Sequence, residues 1–292
     1  MPKKRLGVLD FHTRYRSENK CLQALIEARW SNGFVCPKCG HDDGYRLRKR
    51  RVIECSLCKA QSSITAGTIF HKTRVPLVKW FWMLFCVAQD KGGTSALRLS
   101  KVLNMHLKTV WNILHKIRTA MSKQDSEGMH LRALMQMEQT SFGGPKRKAQ
   151  VLVMIEDEGN HAGYLVMKKI FGKIESKPEI RQVNSARLDS ELSRHFLDDR
   201  AAGHGRGVEP RQWLEMHKSM PASAVRKAGW LQLAVMLAKR FILGTYHGVS
   251  QTHLQNYLDE FCYRFNRRFN EQQMHESIIR ACAYTSPVAY LC

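Results

Sequence analysis

Two cysteine pairs constrain this chain more than any other feature: Cys36-Pro-Lys-Cys39 and Cys55-Ser-Leu-Cys58, with 15 residues between them. A C-x2-C pair turns tightly enough to offer two thiolates to one ion, and two such pairs at this spacing complete a four-thiolate zinc site. The intervening segment suits a ribbon, because Gly40 and Gly44 permit tight turns and residues 45–54 alternate as a hairpin does. Four thiolates fill a tetrahedral shell and leave no position for water or substrate, so the expected Zn2+ is structural. Cys21, Cys86, Cys262, Cys282 and Cys292 lack partner spacing and read as core or surface thiols.

Charge sets the class of partner. The 292 residues include 47 Lys and Arg against 25 Asp and Glu, a net charge of +22. Residues 1–122 hold 23 basic and 7 acidic side chains, so +16 of that surplus is N-terminal. Such a surplus implies a polyanion. Double-stranded DNA is the expected partner and a membrane is not, because no apolar run approaches about 18 residues and no basic amphipathic helix has a clean apolar side. No apolar segment follows Lys3, Lys4 and Arg5, so the expectation is a cytoplasmic, DNA-associated protein without a secretory signal. Between the cysteine pairs, Arg46, Arg48, Lys49, Arg50 and Arg51 form a run that is expected to give the ribbon a basic face for phosphate contact.

A helical segment follows. Pro76 precedes Val78, Phe81, Trp82 and Phe85 at helical spacing, which predicts a first helix ending near Gln89, before Gly92-Gly93. Residues 95–103 predict a short helix with Ala96, Leu99 and Leu103 on one face. After a turn at Asn104-Met105, a longer helix runs to about Met121, with Val110, Ile113, Leu114, Ile117 and Met121 as its buried stripe. The pair reads as a helix-turn-helix whose second member presents Lys108, Thr109, Asn112 and Lys116 to phosphates and base edges.

The stretch from Cys36 to Met121 includes TAGTIFHKT at 65–73, GTSALRLSKVL at 93–103 and KTVWNILHKIRTAM at 108–121, and a second block reads GTYHGVSQTHLQNYLDEFCYRFNRR at 244–268. In order and separation the two blocks resemble ISXO-like insertion-sequence transposases. That resemblance implies a DDE-type, ribonuclease-H-like domain between them. The residues themselves predict three adjacent antiparallel strands, at 133–139, 151–156 and 163–170.

Phosphodiester chemistry on such a domain uses divalent metals held by carboxylates, so the resemblance implies Mg2+ if the chain is catalytically active. In the matching segment Glu138 stands where the family has Asp, and Gln139 where it has Glu. For the second ligand the best match is Asp189, although Leu188, Leu192 and Phe196 around it also fit an ordinary surface helix. At the third position the chain offers Gly229 and Gln232, and residues 216–258, 43 in all, contain no Asp or Glu. His217 or His247 is a poor substitute, since hard magnesium prefers oxygen. The same region carries Lys218, Arg226, Lys227, Lys239 and Arg240, beside any bound DNA in the family's arrangement.

The expected fold class is therefore α+β multidomain: a helical lead-in at 1–30, a zinc ribbon at 31–64, a helix-turn-helix domain at 65–122, a ribonuclease-H-like mixed α/β domain at 128–248, and C-terminal helices at 249–292 packing on it. In the last of these, Leu254, Tyr257, Leu258, Phe261 and Phe265 form one stripe, and Arg264, Asn266, Arg267 and Arg268 close the helix with charge that suits its dipole. The expected activity is DNA binding with the catalytic carboxylates lost, and the alternative is an active metal-dependent transposase. Either could act as a homo-oligomer or within a larger protein–DNA complex.

Overall fold

The computed structural model describes residues 6–47, 50–127, 135–143, 148–157, 161–170, 179–181 and 229–287. It divides into two compact units, Met1–Gln124 with Asn270–Cys292, and Asp125–Phe269. Mixed helix and sheet in two units bears out the α+β multidomain class.

The first unit is built on helices α1 (Val8–Tyr15), α2 (Glu18–Arg29) and α3 (Leu77–Gln89). Ser17 starts α2 by accepting a hydrogen bond from the Lys20 N–H, and Pro76, which has no N–H to lose, stands at the N-cap of α3. The apolar positions of α3 do the packing: Leu77, Trp80, Phe81, Leu84 and Phe85 are buried. Phe11 stacks on Phe85 at 4.4 Å and Tyr15 meets Phe81 at 4.9 Å. The 65–73 motif is a buried connector in this core. Thr68 donates to the Thr65 carbonyl and accepts from Phe70 N–H, which turns Ile69 and Phe70 inward. Phe70 then packs edge-on against Trp80, whose Nε1 donates to Thr73 at 2.9 Å.

The end of the chain returns to this unit. Helix α8 (Met274–Tyr284) packs against α2 and α3, which corrects the expectation that all of 249–292 covers the ribonuclease-H-like domain. Its inward residues Ile278, Ile279 and Cys282 are fully apolar and complete a core that α1 to α3 leave open on one side. His275 enters the same cluster, with its ring 5.3 Å from Tyr15 and 5.7 Å from Phe11. It is 3% exposed, and among the described residues neither ring nitrogen has a hydrogen-bond partner. Burial, with Arg14 nearby, pushes its pKa down to about 3. Since the unfolded imidazole takes a proton near pH 6.5 and the folded one does not, stability falls as pH drops below about 6.5. Between pH 6.5 and 5 the loss from this group is about 2 kcal/mol. Denaturation at both pH values should show that His275→Phe loses less stability over this interval than the parent; equal losses would refute the assignment.

Helices α4 (Ala96–Val102) and α5 (Leu107–Glu127) follow α3. Ser95 caps α4 through the Arg98 N–H. Residues 103–106 join the two helices, with Asn104 in the left-handed region at φ 45°, a conformation that asparagine tolerates better than most side chains. The Lys79 ammonium donates to the Asn104 carbonyl and ties the turn to α3. The predicted stripe of α5 is buried throughout: Val110, Ile113, Leu114, Ile117 and Met121 are each at most 4% exposed.

The second unit is a four-stranded antiparallel sheet. Its strands are β4 (Met135–Phe142), β5 (Ala149–Asp157), β6 (Ala162–Ile170) and β7 (Glu179–Arg181), in the order β6-β5-β4-β7. Helices α6 (Gly229–Tyr246) and α7 (Leu254–Asn266) cover one face. Val151, Val153 and Ile155 of β5 alternate into a core with Leu231, Ala234, Ala238 and Phe241 of α6 and Leu254 and Leu258 of α7.

Helix α7 also holds the outer side of β6 through amide side chains. Gln255 accepts from Lys169 N–H at 2.7 Å and donates to the Met167 carbonyl at 2.9 Å. Asn266 accepts from Leu165 N–H at 2.8 Å and donates to the Leu165 carbonyl at 3.1 Å. The basic end of α7 is committed in the same way. Arg264 pairs with Glu260 at 2.8 Å, Arg267 pairs with Asp125 in the last turn of α5, and Arg268 donates to the Ala162 carbonyl. Arg267 also lies over the Tyr263 ring at 3.7 Å, and Asn266 bonds the same Asp125 carboxylate. The Asn-Arg-Arg sequence thus serves the fold of this unit.

Candidate metal centre and nucleic-acid interface

Strands β1 (Gly44–Leu47), β2 (Val52–Cys55) and β3 (Gln61–Ser63) form an antiparallel ribbon. Its two knuckles repeat one geometry. Gly40 N–H donates to the Cys36 carbonyl and Lys59 N–H donates to the Cys55 carbonyl, while Cys36 N–H and Cys55 N–H donate to the His41 and Ala60 carbonyls. The residue after each second cysteine is left-handed, Gly40 at φ 74° and Lys59 at φ 56°. Gly40 is readable from sequence as such a position, whereas Lys59 is not. Gly44 is required for a different reason, since a Cβ there would lie 2.8 Å from the Glu54 carbonyl oxygen and 2.9 Å from the Phe34 ring.

The four sulfurs converge. All four Sγ atoms lie within 4.8 Å of one another, with Cys36 to Cys58 and Cys39 to Cys55 each at 3.6 Å. A tetrahedron with zinc–sulfur bonds of about 2.3 Å has sulfur–sulfur edges of about 3.8 Å, so the cage fits a zinc ion. The backbone N–H of Cys39 pulls the Cys36 thiol down to about 6, against desolvation that pushes it up. Cys36, Cys39, Cys55 and Cys58 therefore would hold structural Zn2+, which supplies cohesion and no reactive position. Elsewhere Cys21, Cys262 and Cys282 are buried core thiols.

The basic run on the ribbon is not uniformly free. Arg46 donates to Asn19 and Gln23 of α2, and Arg51 pairs with Glu18 at 3.5 Å. These two bind the ribbon to α2, while Arg50 is exposed. Arg48 and Lys49 lie outside the described residues. Arg29 adds a second tie, donating to the Ser63 and Ile64 carbonyls.

Helices α4 and α5 offer a more continuous cationic surface. No Asp or Glu occurs from Lys91 to Gln124, a stretch holding seven Lys and Arg. Arg98, Lys101, His106 and Lys108 are exposed, whereas Thr109, Asn112 and Lys116 are half-buried. Of the four α5 residues expected from sequence to meet DNA, Lys108 is thus the exposed one. Arg98, Lys101 and His106 are exposed cations or titratable groups that sequence reasoning did not single out; Lys101 and His106 flank the turn, and Arg98 lies in the first turn of α4. Arg98 also pairs with Asp90 at 3.1 Å.

In the second unit Glu138 lies on β4, half-buried and opposite Val153 of β5. Thr140 and Phe142 share its side of the strand, toward the helices. Lys239 of α6 donates to Thr140 at 3.1 Å, which sets an ammonium two residues along from the carboxylate. Gln139 donates to Gln150, and Gln232 is exposed on α6. Among the described residues, the four cysteines are the one group of three or more side chains suited to a metal ion. Asp189, His217, Lys218, Arg226 and Lys227 lie outside the described residues. Among the described side chains Glu138 joins no group of three or more metal-binding residues, so they do not assemble the carboxylate set that a pair of magnesium ions needs. No helix of the described residues is long and apolar enough to cross a membrane.

Comparison with known proteins gives three findings. Residues 16–61 match the family model of a transposase zinc-ribbon domain, and residues 210–266 match an ISXO2-like transposase domain. Among curated proteins, an uncharacterised protein in transposable element ISH50 of Halobacterium salinarum is 27% identical over 126 residues, which cover 42% of this chain and 41% of that relative. No solved structure matches.

Proposed function

From the resemblance to insertion-sequence transposases, borne out by both family models and the relative, we propose that this chain is a transposase-derived protein that binds double-stranded DNA. On this reading it recognises element ends or related sites, and its catalytic carboxylates are lost. Residues 65–122 act as the helix-turn-helix domain, with α5 as the recognition helix and Lys108, Thr109, Asn112 and Lys116 toward the groove. Residues 128–248 form the ribonuclease-H-like domain, a reading supported by three consecutive antiparallel strands, a fourth beside the first, and a helical cover. Arg50 and its neighbours in the ribbon add phosphate contacts, and the protein acts as a homo-oligomer or in a larger protein–DNA complex.

The observation that carries loss of chemistry is the pairing of Lys239 with Thr140 beside Glu138. An ammonium there repels the divalent ions that the carboxylate would need to recruit. The match of residues 210–266 to a transposase domain favours a second reading, an active Mg2+-dependent enzyme using Glu138 and Asp189.

Two measurements separate these readings. Binding to a random-sequence duplex, followed by fluorescence anisotropy across salt concentrations, should weaken steeply with salt; Lys108→Ala should reduce the log–log slope by about 0.9, one phosphate contact, and the half-buried Lys116 by less. An unchanged slope for Lys108→Ala would remove α5 from the interface. With Mg2+ and supercoiled plasmid, no nicking or joining is expected, and Glu138→Ala should bind DNA as the parent does. Strand cleavage abolished by Glu138→Ala would establish the enzyme instead.

A further inference from the structure

The surface of α4 and α5 mixes its positive charge with unprotected aliphatic side chains. Leu97 is 55% exposed, Val102 66% and Leu107 46%. Leu107 opens α5 between His106 and Lys108, both exposed, and just beyond the turn anchored by Lys79. A single exposed aliphatic side chain is ordinary, but three of them on successive helices, in a stretch with seven Lys and Arg and no Asp or Glu from Lys91 to Gln124, make a surface that is both cationic and apolar. Such a surface gains from a partner that is anionic at its edge and apolar at its centre. The major groove of A·T-rich duplex DNA has that chemistry, with phosphates along its rim and the thymine 5-methyl on its floor.

We propose that Leu107 is a specificity-determining residue that reads thymine through its 5-methyl group, while Lys108 and Lys101 hold the flanking phosphates. This rests on the DNA-binding function proposed above and names the base that α5 selects. Val102, at the end of α4, borders the same turn and walls the contact from solvent. Leu97, in the first turn of α4, lies away from the turn and takes no part.

The test compares the full chain on two duplexes that differ only in that methyl: an alternating dA–dT oligonucleotide, and the same oligonucleotide with uracil in place of every thymine. Charge, minor groove and hydrogen-bonding edges are the same in both. The parent protein should bind the thymine duplex about fourfold more tightly for each methyl contacted, the worth of one buried methyl group. Leu107→Ser should bind both duplexes equally with an unchanged salt slope, and Leu97→Ser should discriminate as the parent does. Zinc content and circular dichroism equal to the parent's show that the variants are folded. Equal affinity of the parent for both duplexes overturns the inference while leaving DNA binding intact, and discrimination that survives in Leu107→Ser overturns the choice of residue. Failure to bind either duplex at low ionic strength overturns the proposed function along with it.

Discussion

Cys39→Ser should bring the zinc content of the purified protein from about one ion per chain to none and leave the ribbon unfolded. Apart from the metal, the ribbon is held by a small core and by the polar ties to α2 made through Arg29, Arg46 and Arg51. Its strands are four, four and three residues long, and apart from Cys36 and Cys55 its buried apolar side chains among the described residues are Ile53 and Ile64. A core of that size cannot offset the entropy of ordering some thirty residues, roughly 1–2 kcal/mol each for the backbone alone. Structural zinc supplies about 10–16 kcal/mol in comparable peptides, and in a domain this small that binding energy is folding energy. Metal analysis and limited proteolysis check the result: cleavage should concentrate between Cys36 and Ser63, and Cys86→Ser should change neither reading. Full zinc occupancy in Cys39→Ser would dismiss the four-thiolate cage.

The second large effect is expected in the other unit. Arg267→Ala should lower stability by about 3–5 kcal/mol, because it removes the cation paired with the largely buried Asp125 carboxylate and leaves it the neutral donors Asn266 and Tyr164. The variant also removes a guanidinium stacked on Tyr263. Arg98→Ala supplies the contrast. Its pair with Asp90 is exposed, with the arginine 71% accessible, and pairs of that kind contribute about 0–1 kcal/mol. Urea denaturation of both variants decides the matter, and a loss below 1 kcal/mol for Arg267→Ala would mean that the carboxylate finds another partner or water.

What could be read in the sequence was local. The C-x2-C spacing gave the metal cage, Pro76 marked the start of α3, and the apolar period of α5 identified its buried stripe. Alternation located three strands of the second sheet to within a few residues. What could not be read depends on residues far apart along the chain. Arg46 and Arg51 looked free for phosphates because Glu18, Asn19 and Gln23, which bind them, lie on another helix. Arg264, Arg267 and Arg268 looked like charge closing a helix, yet Arg267 answers an aspartate 142 positions away. The stripe of α8 gives no sign of which core it enters, because the residues of α2 and α3 that it packs against lie far back along the chain. Lys59 adopts a conformation usually reserved for glycine, and nothing in its neighbours announces it.

The two amides on α7 have a consequence for assembly. Gln255 and Asn266 occupy the very peptide groups through which β6 could recruit another strand, and an open β-edge is the usual entry point for fibril growth and for β-augmentation. With these groups of Leu165, Met167 and Lys169 already engaged, an incoming strand finds no free backbone partner along this stretch of β6, and the margin of the sheet is closed to pairing there.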